Sequence, residues 1–320
     1  MDLHGLHHVT AVSSKIGENA DFYTRVLGLR LVKKTVNQDD VSAYHLFYAD
    51  KAGSPGTDMT FFDWPVGPEK RGTDSVVNTA FRVNGEDALN YWAERLSNEG
   101  VQHNGVETFA GRQILRFDDP EGQRLMLVDD GGAEYEGEAW DRSDVPEEFA
   151  LRGFYSVTLS VPKQDWIDPI LTRILGWGEI DRVKDTDGTE VVIYKIGEGG
   201  PGREVWVKLE PGKGAARQGA GAVHHVAFRV ANDEEQKYWH ERISNAGLGI
   251  SGFIDRFYFR SLYFRISYGI LFEIATDGPG FASDEDADKL GETLALPPFL
   301  EPRREQIEKG LKPIVVPTQG

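Results

Sequence analysis

The chain carries a copy of part of itself. Laid over residues 223–278 at an offset of 147 and without a gap, residues 76–131 match at 18 of 56 positions. The identities come in blocks: Ala80-Phe81-Arg82-Val83 on Ala227-Phe228-Arg229-Val230, Tyr91-Trp92 on Tyr238-Trp239, Ser97-Asn98 on Ser244-Asn245, and Asp130-Gly131 on Asp277-Gly278. A period of this kind marks a repeated supersecondary unit and constrains the fold before any single residue does. In the later copy, alternation over 223–230 reads as a strand. Tyr238, Trp239, Ile243 and Ala246 then set an apolar stripe of helical period over 233–246, and Gly247 is a stop signal. Strands follow at 249–255, 260–267 and 270–276, so the unit is βαβββ.

The same order returns twice with weaker similarity. Strands at 6–12, 29–36, 43–49 and 59–62 surround a helix at 18–27. Strands at 153–161, 177–183, 191–196 and 204–209 surround a helix at 163–174. Four βαβββ modules make an α+β chain with an N-terminal pair at 1–135 and a C-terminal pair at 150–280. The acidic, glycine-rich stretch 136–149 reads as the linker between them. The tail, 281–320, holds five prolines and reads as a helix-poor wrap or interface arm, the expected place for homo-oligomerisation.

Composition narrows the chemistry. With 35 basic and 52 acidic residues the net charge is −17, a surface that repels nucleic acid and anionic membranes. It reads as a well-solvated acidic surface, with adaptation to high salt as the other reading. No apolar run approaches the ~18 residues of a membrane span, and the start Met1-Asp2-Leu3-His4 lacks a basic segment followed by an apolar run. A cytoplasmic protein is expected. There is no cysteine, so a metal here would have to use histidine and carboxylate.

The repeat then acts as an internal control. Glu273 interrupts the apolar run Ile270 to Ala275, where a charge is costly unless a partner or a metal takes it. Its counterpart in the second module is Met126. His225 on the first strand of the fourth module corresponds to Asn78 in the second. His8 corresponds to Ser156 when Val9-Thr10 is laid on Val157-Thr158. The scaffold therefore does not require His8, His225 or Glu273, and these three are the candidate ligands of a single metal. The competing interpretation is a buried histidine–carboxylate pair without metal. Two histidines and one carboxylate with open positions form the ligand set of non-haem Fe(II) oxygenases.

His7-His8-Val9-Thr10, Val223-His224-His225, Asp255-Arg256, Tyr263-Phe264-Arg265 and Phe272 to Asp277, set in four βαβββ modules, resemble the vicinal oxygen chelate superfamily. That superfamily groups glyoxalases, bleomycin-resistance proteins and extradiol dioxygenases, and the similarity is to its hydroquinone-type ring-cleaving dioxygenases. The resemblance covers nearly the whole chain, to about residue 315. It implies modules paired into two domains with curved mixed sheets, and Fe(II) at His8, His225 and Glu273, ligands that also accept Mn(II). It implies a hydroquinone or catechol-like substrate together with O2, and a surrounding catalytic set of His7, Thr10, His224, Arg256 and Tyr263. Tyr263 would act as an acid or hydrogen-bond donor and Arg256 would stabilise an anionic oxygen. Their structural alternatives are a core aromatic and a surface ion pair. Strand alternation turns His7 and His224 away from the ligands beside them unless the strands bulge. His45 could line the first-module side of the site, while Phe61, Phe62 and Trp64 read as core. A glyoxalase-type lyase or isomerase would want a second carboxylate ligand, and a non-catalytic resistance protein would lack the ligands altogether.

Overall fold

Sixteen strands build two eight-stranded sheets in a computed structural model that describes residues 1–314; positions 315–320 of the tail lie outside the described residues. The first module is β1 (Leu6–Ser13), α1 (Ile16–Asp21) running into a π-helical turn, β2 (Arg30–Val36), β3 (Tyr44–Ala49) and β4 (Asp58–Asp63). The second is β5 (Ser75–Val83), α2 (Gly85–Asn98), β6 (His103–Phe109), β7 (Arg112–Asp118) and β8 (Arg124–Asp129). The third is β9 (Phe154–Val161), β10 (Gly178–Lys184), β11 (Glu190–Lys195) and β12 (Glu204–Leu209). In place of the helix expected at 163–174 it has a 3-10 turn, Gln164–Trp166, and a π-helical turn, Ile170–Ile174, with Pro169 between them. Proline has no N–H to give a continuous helix at that point. The fourth is β13 (Val223–Val230), α3 (Asp233–Asn245), β14 (Ile254–Asp255), β15 (Phe259–Arg265) and β16 (Leu271–Pro279). The strand expected at 249–255 shrinks to those two residues plus one bridge from Ile250 to Phe264, because Gly249 and Gly252 weaken it.

The strand orders are β14-β15-β16-β13-β1-β4-β3-β2 and β10-β11-β12-β9-β5-β8-β7-β6. One sheet thus joins the fourth module to the first, and the other joins the third to the second. Each junction is antiparallel between first strands, β1 with β13 and β5 with β9. A lone module would leave its first strand as an open edge of unpaired N–H and C=O groups, and the pairing saturates both edges at once. It also puts residues 217 positions apart, His8 and His225, on adjacent strands.

The helices close over the sheets with their apolar stripes. α2 buries Ala88, Leu89, Trp92 and Leu96, and α3 buries Gln236, Trp239 and Ile243 at the matching repeat positions. The side chain of Asn232 caps α3 by accepting from the N–H groups of Glu234 and Glu235. No helix among the described residues is long and apolar enough to cross a membrane. The tail forms short turns and α4 (Arg304–Gly310), and buries Phe281, Leu290, Leu296, Leu300 and Ile307 on its own chain. Lys33 of β2, fully buried, fastens it by donating to the carbonyl of Phe281 (2.9 Å), to Asp284 (2.7 Å) and to Glu285.

Candidate metal centre

Cross-strand register defines four equivalent corners in each sheet. In the sheet of modules one and four they are His8 on β1, His225 on β13, Glu273 on β16 opposite Ala227, and Thr60 on β4 opposite Thr10. In the other sheet the same corners hold Asn78, Ser156, Met126 and Trp206. Only the first sheet has metal-binding chemistry, and it has it at three corners of four. The Thr60 hydroxyl instead pairs with that of Thr10 at 2.8 Å and with His45 Nε2 at 2.9 Å.

The three donors converge. His8 Nε2 lies 3.2 Å from His225 Nε2 and 3.2 Å from Glu273 Oε2, and His225 Nε2 lies 3.0 Å from the same oxygen. His8 is 2% exposed, His225 4% and Glu273 0%. No hydrogen bond of good geometry reaches either carboxylate oxygen, so the two imidazoles beside Oε2 are the buried anion's polar neighbours and Oε1 has no partner. Ligand bonds of about 2.1 Å at right angles have donor–donor edges of about 3.0 Å, so this triangle fits one face of an octahedral ion. Burial would raise the Glu273 pKa, but His8 and His225 outweigh it and hold the carboxyl well below its ordinary range. Burial holds His225 below the usual imidazole value, against the opposing pull of Glu273. Both states, ionised carboxylate and neutral imidazole, are those a metal needs. Among the described residues this is the one cluster of three such groups within metal reach.

Two bulges orient the ligands. The β1–β13 register slips between Leu6 and His8 and again between Thr10 and Ala11, which leaves His7 and His224 as the extra residues. Their rings swing toward the ligands: His7 Nδ1 is 2.9 Å from His8 Nδ1, and His224 Nδ1 is 2.8 Å from His225 Nδ1. His7 Nε2 faces the carbonyl of Thr276 at 3.2 Å, so it carries the proton and Nδ1 is the acceptor. His8 must then donate from Nδ1, which frees the lone pair on Nε2 for the metal. Burial holds His7 well below the usual value and His224 at about 3, so both outer rings are neutral. The second sheet has the same bulges, at Val77 and Tyr155. The bulge is a property of the scaffold, and histidine at it is a property of this site.

The triad opens onto a cavity of about 50 Å³ between modules one and four. Phe47, Phe62 and Phe259 give it aromatic walls, and His45, Tyr258, Tyr263 and Arg256 add polar groups. An engineered cavity of ~150 Å³ holds benzene, so admitting a ring requires the rim to move. Arg256 spans that rim: its guanidinium meets Asp39 at 2.8 and 3.2 Å, its carbonyl accepts from Gln38 at 2.8 Å, and it lies 5.6 Å from the Tyr263 ring centre. Asp39 is 74% exposed, so the pair is weakly held. Tyr263 stands opposite Glu273 across β15 and β16, and burial and that carboxylate raise its pKa. Of the eight residues singled out from sequence, His8, His225, Arg256 and Tyr263 line this cavity, Glu273 completes the triad, and His7, His224 and Thr10 make contacts beside it through His8, His225 and Thr60. Phe62, read as core, lines the cavity, whereas Phe61 is core. Thr60, Asp39 and Gln38 carried no local signal. A larger cleft of about 1080 Å³, beside α1 and Asp118–Pro120, holds acidic side chains that do not converge on a metal.

The chain is similar over nearly its whole length to known proteins. The glyoxalase/bleomycin resistance protein/dioxygenase superfamily matches residues 5–127. A Bacillus subtilis protein named as a ring-cleaving dioxygenase, MhqA, is 48% identical over 315 residues, 98% of this chain and 100% of that one. The chlorohydroquinone/hydroquinone 1,2-dioxygenase of Sphingobium indicum is 32% identical over 326 aligned positions, 98% of this chain and 97% of that one. A crystal structure of a Bacillus subtilis protein described as a dioxygenase superposes with a TM-score of 0.89 at 40% identity, covering 98% of both chains.

Proposed function

The chain belongs to the ring-cleaving dioxygenases of the glyoxalase/bleomycin resistance/dioxygenase superfamily, and we propose that it is an Fe(II)-dependent, extradiol-type enzyme. Its substrate would be a hydroquinone or catechol-like ring, opened with insertion of O2. The observation that carries this reading is the three-donor face of His8, His225 and Glu273, buried beneath an aromatic-walled cavity. Fe(II) held there would supply open positions for a substrate oxygen and O2, and the same donors accept Mn(II).

The protein's own groups do the rest. Phe47, Phe62 and Phe259 provide flat apolar walls for a ring. Tyr263 keeps its proton at neutral pH, because burial and Glu273 raise its pKa, and can donate it to a developing anionic oxygen. Arg256 stays cationic beside it and stabilises that oxygen. His7 and His224 fix the ligand tautomers, and Thr10 ties the β1 side of the site to Thr60. A lyase or isomerase reading wants a fourth, carboxylate ligand, and the fourth corner is Thr60. A metal-free resistance protein would have no need of three converging donors with Glu273 Oε1 left unpartnered. The acidic surface supports an enzyme without nucleic-acid or anionic-membrane partners.

The test is anaerobic reconstitution with Fe(II), then oxygen uptake with hydroquinone, methylhydroquinone and catechol beside a His225→Ala control. Uptake coupled to a ring-opened chromophore, absent in the control, is the expected result. Iron binding without uptake on any of them would overturn the proposal.

A further inference from the structure

Resting on the ring-cleaving reading, we infer that His45 is the residue that recognises the ring hydroxyl not held by the metal. His45 sits on β3 and lines the same cavity as His8, His225 and Tyr263, from the first-module side. Its ring is clamped between Phe47 and Phe62, with centroids 4.0 and 4.4 Å away. Nε2 is taken by the Thr60 hydroxyl at 2.9 Å, and that hydroxyl by Thr10 at 2.8 Å. Nδ1 has no protein partner among the described residues. The ring is half-buried, so this nitrogen is open to a ligand entering the cavity. It is fixed at one nitrogen and lines the cavity that His8 and His225 also line, with its other nitrogen uncommitted among the described residues.

The repeat argues against a scaffold role. Matched through the last strand of each module, the positions equivalent to His45 are Ile114, Val191 and Ser261. The fold is built three times without histidine there. The ring is neutral, since burial first and His8 and His225 next depress its basicity. A neutral imidazole with Nε2 engaged offers either a single donor or a single acceptor at Nδ1. A phenolic hydroxyl complements both, so the match holds for either polarity of the Thr10–Thr60–His45 chain. An aromatic ring bound through one oxygen at the metal and carrying a second hydroxyl away from it is the ligand this arrangement selects.

The experiment measures binding without turnover. Hydroquinone and phenol are titrated into anaerobic Fe(II)-loaded wild type, His45→Leu and His45→Gln by calorimetry, with iron content determined for each. Wild type should prefer hydroquinone by about tenfold, the size of one neutral hydrogen bond in a dry site. His45→Leu should lose that preference while keeping its iron and its affinity for phenol, and His45→Gln, which keeps a hydrogen-bonding tip, should restore part of it. Equal binding of the two probes by wild type overturns the inference with no variant needed. So does a preference that survives in His45→Leu, or a parallel loss for both probes, which is the mark of a structural role. Absence of oxygen uptake by wild type would instead strike the ring-cleaving reading and leave these binding results to be judged separately.

Discussion

His7 Nδ1 lies 2.9 Å from His8 Nδ1, and the carbonyl of Thr276 on the far side of His7 decides which of the two carries the proton. The contact exists because a bulge in β1 turns His7 onto the face its neighbour already occupies. His7 thereby fixes the tautomer of the candidate ligand His8.

Removing that partner should loosen the ligand without unfolding the sheet. His7→Ala is expected to weaken metal binding about 10–100-fold, and His224→Ala similarly, with the metal-free fold retained. Metal titration against a competing chelator, with circular dichroism of the metal-free forms, checks this. Unchanged affinity in both variants would remove the orienting role.

Acid should destabilise the metal-free protein in a particular window. His7, His45, His224 and His225 are all held below the ordinary imidazole value, each by burial first, His224 at about 3. The unfolded chain takes up protons on these rings near pH 6.5 and the folded chain does not. Depressed values therefore give stability that is complete above pH 6.5 and is lost as pH falls. The loss is about 1.4 kcal/mol per pH unit for each ring. Denaturant midpoints from pH 7.5 to 5 should show it, and His224→Gln should reduce the slope by about one proton. Asp58 and Asp119, whose carboxyl pKa values burial raises, oppose this slope in the same window, so the deciding result is the variant: a His224→Gln profile parallel to wild type would contradict the neutral state of that ring.

The tail is fastened by a buried cation. Lys33 reaches Asp284 and Glu285 and lies 4.6 Å from the ring of Tyr258, which itself donates to Asp284 at 2.9 Å and lines the cavity. Lys33→Met removes three charge-assisted hydrogen bonds but leaves carboxylates that reach water, and a loss of about 1.5–3 kcal/mol is expected. Denaturant unfolding measures the loss, and limited proteolysis should find the segment after Phe281 exposed. A cost below about 1 kcal/mol would mean that apolar packing alone holds the tail.

The three donors that converge were legible in the sequence as candidate ligands because the duplication supplied its own control: Asn78, Met126 and Ser156 occupy the same scaffold without ligand chemistry. The helix 233–246 was legible too, since its stripe of Trp239 and Ile243 is local. Which modules share a sheet was not, because β1 and β13 meet across more than 200 residues and nothing near either strand names its partner. For the same reason Thr60 and Asp39 gave no signal. Thr60 matters only as the fourth corner opposite Thr10, and Asp39 only because it meets Arg256 from 217 residues away. Phe62 was misread because a cavity wall and a core have the same apolar composition.

The central claim is that this one three-donor face supports insertion of O2 into a ring. Turnover of hydroquinone by the Fe(II)-loaded protein under labelled oxygen, followed by mass spectrometry of the product, tests it most directly. Both labelled atoms should appear in one ring-opened product. A product carrying one labelled atom, as in hydroxylation, or none, as in isomerisation or simple oxidation to a quinone, would contradict it.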